Sequence, residues 1–366
     1  MATEQQQGER LTFFALDPFV EEWGIDAKES KASGKDYIQW GTGNIYPNHL
    51  VDIYQGCPTL HSIVAGSTDF TAGDTVTMNA AAWKSRYMDA RRTTPQALVR
   101  SLGRDAFLFG GFALEVIRRR DGTGVAELRH CPMQYLRSNK AGDVFYYSEA
   151  WAERGTRYNQ PVQIPGFIPD GSAPRSILLV KLDSLGTYPA APVQAALKEC
   201  DTEMAISDFH LNAINNGFAA SYIINFNNGQ PPAQMKEEIE RDMNEKAAGH
   251  KNAGRFLCSF NIDKEHAATF DKIDINDFGD RYNALAKHCR QAIFTCYRAI
   301  PAIFGLMNET TGFSEQEFAE AFKLYNRTRI QPVQDAIVDA FDTILGVEGS
   351  MTITPFSLER AQAVVR

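Results

Sequence analysis

The sequence predicts an α+β fold, and three patterns carry that expectation. Between residues 278 and 345 apolar side chains recur every three or four positions, the period of one helix face. Between residues 112 and 182 the period drops to two and glycine turns separate the runs, as in hairpins. Between residues 219 and 260 a strand–helix–strand unit sits between two helical stretches.

The 278–345 stretch organises the rest. Phe278, Tyr282, Leu285, Cys289, Ile293, Cys296, Ile300 and Phe304 make one apolar stripe, with Lys287, Arg290 and Arg298 on the opposite face. Pro301 disfavours the α region for the residue before it, so the helix is expected to end near Ile300. A short break follows, with Gly305 and Gly312 as hinges around Met307, Asn308, Glu309, Thr310 and Thr311. Ser314 and Glu317 have the spacing of a capping box and open a second helix. Phe318, Phe322, Tyr325, Val333, Ile337, Phe341 and Ile344 mark its apolar face, and Pro332 within it predicts a kink.

Residues 1–35 are polar, with a Lys/Ser/Gly cluster at KESKASGKD, and read as a flexible arm. Pro47 suits the first turn of a helix through Leu50, Val51 and Tyr54; Gly56 and Pro58 break it, and a second helix ends near Gly73. The GTG at Gly41–Gly43 follows no strand and lacks a third glycine, so it reads as a turn rather than a dinucleotide site. Thr94 caps a helix that starts at Pro95 and stops at Gly110-Gly111. Phe112–Arg118 and Val125–His130 pair across Asp121-Gly122, and a second hairpin turns at Ala141-Gly142. Residues 159–175 read as a Pro- and Gly-rich loop, and Ser176–Leu182 as a buried strand. Residues 36–191 thus form an α+β domain. Residues 192–218 form a helix whose apolar face is flanked by Glu199 and Glu203 on one side and Asp201 and Asp208 on the other. The insertion that follows carries a mostly charged helix over 233–247, with Lys236, Glu237, Glu240 and Arg241 on its surface.

Composition narrows the function. A net charge of −8 and a pI near 5.5 argue against a surface that grips nucleic acid tightly through its phosphates. The first residues, MATEQQQGER, do not form a secretory signal, and the longest apolar run, near Ala106–Ile117, is too short to span a bilayer. The six cysteines are scattered without a CxxC pair, which predicts buried free thiols rather than a zinc ribbon or a disulfide framework. Arg118, Arg119 and Arg120 form the one tight basic cluster; a nucleic-acid role is one reading of it, and a charged strand edge near a turn is the commoner one. No GxSxG, HExxH or GxxxxGK[ST] motif is present, and the histidines lie far from one another in sequence. No catalytic residue, cofactor or metal is expected.

AIPAIFG, the polar break, FSEQEFAEAFKLYNRTRIQPVQDAI and ITPFSL together resemble the C-terminal half of tailed-bacteriophage portal proteins. GGFALEVIRRRDGTGVAELRHCPMQYLRSNKAGDVFYY and LGTYPAAPVQAALKECDTEMAISDFHLNAINNGFAASYIINF extend the resemblance over most of the chain. It implies a wing at 36–191, a first stem helix at 192–218, a clip at 219–276 and a second stem helix at 277–304. It further implies a tunnel loop at 305–313 and a long kinked wing helix at 314–345. Residues 346–366 would hold a C-terminal strand and a short tail, with a crown minimal or absent. The implied function is a channel at one capsid vertex for DNA packaging and ejection. The implied partners are further copies in a dodecameric ring, double-stranded DNA passing without sequence readout, the terminase large subunit, a head-tail adaptor and the major capsid protein, with no membrane. The implied location is the virion, after assembly in the host cytoplasm.

On this resemblance Met307–Thr311 face DNA, and the clip helix surface meets partners. Asp201, Asp208, Lys287, Arg290 and Arg298 lie between subunits or face the channel, two arrangements the sequence leaves open. The alternatives are an enzyme with an unrecognised active site in the α+β domain, or a monomeric scaffold. The enzyme would need a pocket of clustered titratable groups, and the portal a large closed ring.

Overall fold

The computed structural model describes residues 27–32, 34–122, 124–151, 160–215, 222–226, 232, 234, 256–260, 276–305 and 315–357. The chain divides into two compact units. The first comprises residues 1–52, 64–194 and 326–366; the second comprises residues 53–63 and 195–325.

The first unit is built on strands β1 (Ser30–Lys31), β2 (Ile38–Gln39), β3 (Thr75–Met78), β4 (Gly111–Arg118) and β5 (Val125–His130). Strands β6 (Leu136–Ser138), β7 (Val144–Tyr147), β8 (Val162–Pro165) and β9 (Arg175–Lys181) follow. Two three-stranded antiparallel sheets run in the orders β5-β4-β9 and β6-β7-β8. Helices α1 (Tyr46–Gly56) and α2 (Pro58–Ala72), whose residues 53–63 belong to the second unit, begin and end where Pro47, Pro58 and Gly73 predict. Thr94 accepts a bond from the Ala97 N–H and opens α3 (Pro95–Phe109). Gly110 closes α3 in the left-handed region at φ 79°, where a Cβ would meet the Ala190 carbonyl oxygen at 2.0 Å, so only glycine fits.

Strand β4 departs from simple alternation. Gly111–Val116 are all buried, because α3 covers one side and β4 is the middle strand of its sheet. Leu98, Leu102 and Phe107 of α3 and Phe112, Leu114 and Val116 of β4 are among the buried core residues.

Three expectations change. Residues 159–175 contain β8, which pairs with β7 as an edge strand whose Val162 and Gln163 are exposed. Its apolar alternation is limited to Val162 and Ile164 between Pro161 and Pro165, too short a run to mark a strand. Within the expected arm, Ser30–Lys31 pair with Ile38–Gln39, and the Glu29 carboxylate accepts the Thr187 and Tyr188 N–H groups at 2.9 and 2.8 Å. The long C-terminal helix is three segments: α6 (Glu315–Tyr325) in the second unit, then a π-helical turn at Asn326–Ile330 and α7 (Gln331–Leu345) in the first. The irregularity therefore precedes Pro332. A proline has no N–H to give the carbonyl four residues back and its ring crowds that carbonyl, so the preceding turn widens. Strand β12 (Met351–Thr354) then pairs antiparallel with β3. Gln334 donates to the Phe70 and Thr71 carbonyls at the end of α2, at 3.4 and 3.0 Å.

In the second unit, a 3-10 segment over 192–196 leads into α4 (Leu197–Asn215). Strands β10 (Tyr222–Phe226) and β11 (Phe256–Phe260) pair in parallel, as a strand–helix–strand insertion requires. The helix expected over 233–247, with Lys236, Glu237, Glu240 and Arg241, lies outside the described residues apart from helical Gln234. Helix α5 (Asn276–Tyr297) packs on α4. It ends three residues earlier than Pro301 suggests. Arg298 adopts φ 50°, Ala299 N–H bonds to Phe294 O at 2.9 Å, and a 3-10 turn over Pro301–Phe304 follows.

Candidate functional site

The site that the resemblance assigns lies in the second unit, around α4 and α5. Phe209 stacks on Tyr282 with ring centroids 4.9 Å apart, and His210 meets the same ring edge-on at 5.7 Å. One helical stretch away, Cys289 feels Glu199 and Glu203, which add to burial in raising its thiol pKa. The two helices therefore run antiparallel. Cys200, Cys289, Ile293 and Tyr297 are buried along this pairing, whereas Phe209, Leu211 and Leu285 are 49%, 56% and 41% exposed. The apolar stripes of both helices are thus only partly used within one chain.

Glu203 is the residue the sequence did not single out as a tie. Its carboxylate accepts the Cys57 thiol at 3.0 Å and the Thr59 hydroxyl at 2.8 Å, at the start of α2. A carboxylate suits a helix N-terminus, where backbone N–H groups lack partners. The neighbouring Cys57 thiol, then burial, raise the Cys200 pKa. The partners lie 144 and 146 positions apart, so periodicity within α4 cannot reveal them.

Of the charged residues singled out, Asp208, Lys287, Arg290 and Arg298 are exposed and Asp201 is half-buried. Lys287 and Arg290 sit on α5, but Arg298 does not: it occupies the left-handed turn beyond the helix end, so the projected basic stripe stops short of it. Arg290 donates from Nε to its own helix at Ala286 O, 3.3 Å. It also lines a cavity of about 350 Å³ with Thr59, Glu203, Ser207, Phe294 and Phe304. Glu203 reaches this cavity with both oxygens already accepting bonds.

The hinge residues stand differently. Gly305 closes the 3-10 turn at φ 81° and ψ 9°, and a Cβ there would meet no atom within 4 Å; the constraint is purely the backbone angle. Beside it Phe304 meets Tyr325 edge-on at 5.5 Å and Phe294 at 6.1 Å. Both flanks of the polar break are therefore held by one aromatic cluster. Met307, Asn308, Glu309, Thr310, Thr311 and Gly312 lie outside the described residues. Among the described residues no group of three or more His, Cys, Asp or Glu side chains is placed to hold a metal ion. No described helix is long and apolar enough to cross a membrane.

No protein-family model matches this sequence, and no curated protein does. Solved structures do match. A chain in the neck of an empty gene transfer agent particle, computed with C6 symmetry, aligns with TM-score 0.54 and 16% identity over 87% of this chain and 86% of that one. A chain in the neck of the native particle, computed with C12 symmetry, aligns with TM-score 0.53 and 18% identity over 86% of both. These two likenesses show a shared fold along nearly the whole chain. A weaker likeness, with TM-score 0.48 and 10% identity over 79% of this chain and 87% of that one, is to an HK97 family phage portal protein from Corynebacterium diphtheriae.

Proposed function

We propose that this chain is a portal protein, the subunit of a ring through which double-stranded DNA enters and leaves a phage or gene-transfer particle. The observation that carries the reading is the shared fold with neck chains over 86–87% of this chain. This chain itself carries an antiparallel α4–α5 pair with the parallel β10–β11 unit between them in sequence. The neck structures were computed with C12 and C6 symmetry, which supports a cyclic ring with twelve copies as the expected number. The exposed apolar halves of α4 and α5 fit the same reading, because neighbouring copies would cover them.

On this reading the terminase large subunit and the head-tail adaptor dock on the clip over 219–276, and the wing meets the major capsid protein. The loop over 305–313 faces the DNA. It carries no Lys or Arg, and Glu309 repels phosphate, so a duplex slides past it instead of being held.

Light scattering and negative-stain imaging of purified protein test the ring. Compact monomer across concentrations and salts would remove the reading. Replacing Asn308, Glu309 and Thr310 by lysine tests the loop: assembly stays unchanged while DNA affinity rises with a steep salt dependence and packaging stalls. Normal packaged length and rate in that ring would take the loop off the DNA path.

A further inference from the structure

One sequence feature has no part in the conduit, the Arg118–Arg120 cluster, and the fold places a second basic segment beside it. Strand β5 is the outer strand of its sheet. Its Leu128 N–H bonds to Met88 O at 2.9 Å, so the loop over 83–93 runs along that open edge. Arg119 N–H bonds to Gly124 O across the turn at the start of the same strand. From Val125 to Leu128 is about 10 Å at strand rise. Lys84, Arg86, Arg91 and Arg92 on the loop and Arg119 and Arg120 on the turn are all exposed.

The carboxylates nearby are already engaged. Asp89 accepts the Thr93 N–H and hydroxyl, both at 2.9 Å, and Glu127 pairs with Arg129. None of the six cations forms an ion pair among the described residues. Asp89 also shapes a turn that presents Arg91 and Arg92. Arg92 N–H bonds to Asp89 O at 3.1 Å, and Arg92 adopts φ 64°, an uncommon angle for a side chain of that size. Residues 84–92 carry four basic and one acidic side chain, a sum of +3, and residues 118–129 four basic and two acidic, a sum of +2. With +5 on this edge, the rest of the chain carries −13 of the net −8. Such segregation of charge marks a polyanion surface.

We propose that this edge of the first unit binds the phosphate backbone of double-stranded DNA without reading its sequence. Five of the six cations are arginine, whose fork matches phosphate oxygens in pairs. Duplex DNA presents about six phosphates, counting both strands, over 10 Å of axis. A conduit loop without cations and a basic edge elsewhere give two separate relations to DNA, sliding in one place and holding in the other. The inference does not require a ring.

The test uses the full-length chain and a fluorescent 30-base-pair duplex of arbitrary sequence, with anisotropy read over a salt series. Arg91→Glu/Arg92→Glu and Arg119→Glu/Arg120→Glu should each weaken binding at least tenfold at low salt. Each should also lower the slope of log affinity against log salt by about two, one unit for each lost phosphate contact. The control Lys140→Glu/Lys323→Glu, which changes net charge equally at exposed sites outside this edge, should bind within twofold of wild type. Melting curves verify that all three variants fold; if an arginine pair fails to fold, the corresponding glutamine pair replaces it. Wild type that does not bind the duplex at low salt would overturn the proposal, as would arginine variants that bind like the control. Variants that bind DNA normally but lose self-association would assign the edge to an acidic face of a second copy, which also overturns it.

Discussion

Replacing Arg137 by methionine should unfold the first unit more easily, and the size of the effect follows from two opposed terms. The guanidinium is fully buried without a carboxylate among its hydrogen-bond partners. It donates to Asn44 Oδ1 at 2.6 Å, Asn44 O at 2.7 Å, Leu136 O at 2.8 Å and Gln134 O at 3.0 Å, between the rings of Trp40 and Trp151. Burial draws its pKa down to about 10, opposed by Tyr188 and Tyr37. A fall from 12.5 to about 10 sets a cost of roughly 3 kcal/mol on the charge. Four bonds from a cation contribute roughly 1.5–3 kcal/mol each, so they outweigh that cost by about 3 kcal/mol or more. Methionine also leaves the Leu136 and Gln134 carbonyls without this donor. With a urea slope of about 2 kcal/mol/M, the midpoint should drop by about 1.5 M. Tryptophan fluorescence reads the transition, because Trp40 and Trp151 flank the group. A methionine variant with a midpoint at or above wild type would show that desolvation dominates, and would refute the reasoning.

Three further outcomes are expected. Glu203→Gln should destabilise the start of α2 by about 1–2 kcal/mol, because a charge-assisted acceptor for Cys57 and Thr59 is lost; faster amide exchange in the first turn of α2 is the readout, and unchanged exchange contradicts the tie. Partial burial would raise the Asp342 pKa, but bonds from the Ser350 hydroxyl and from the Gly349 and Ser350 N–H groups outweigh it and lower it below 3.8. Its stabilisation is therefore present above 3.8 and is lost as pH falls through the lower folded value; Asp342→Asn should flatten the acid limb of a stability–pH curve, and an unaltered limb speaks against it. In the proposed ring, Arg290→Glu should weaken assembly and added Asp208→Lys should restore part of it, each exposed pair contributing about 0–1 kcal/mol; a double variant no better than either single one excludes the pairing.

Elements whose signals are local were legible in the sequence. Thr94, Pro95 and Gly110 bracket α3, and Asp121-Gly122 marks the β4–β5 turn, because a cap or a turn depends on a few neighbouring residues. The end of α5 was displaced by three residues because the left-handed Arg298 ended the helix before Pro301 was reached. Strands β3 and β8 gave little signal: each has four residues with little buried apolar surface, and β3 is specified by a partner at the far end of the chain. The same limit hid the site contacts. Glu203 appears in sequence as one charge flanking a helix, and only the fold shows that it faces Cys57 and Thr59. Nothing in sequence marks Arg137 as buried either; its partner Asn44 lies 93 positions earlier.

The pairing of β3 with β12 sets the timetable of synthesis. Thr75 and Thr354 bond across 279 positions of chain. At about 5–20 residues per second, a ribosome needs roughly 14 to 56 s to deliver the second strand after the first has emerged. Throughout that interval β3 is a nascent strand without its mate, while residues 195–325 of the second unit are translated between them. Residues 195–325 have the opportunity to fold before the β3–β12 pair can form. A ribosome that stalls before Met351 would release a chain with a bare strand edge, a template for aggregation and a natural target for chaperones.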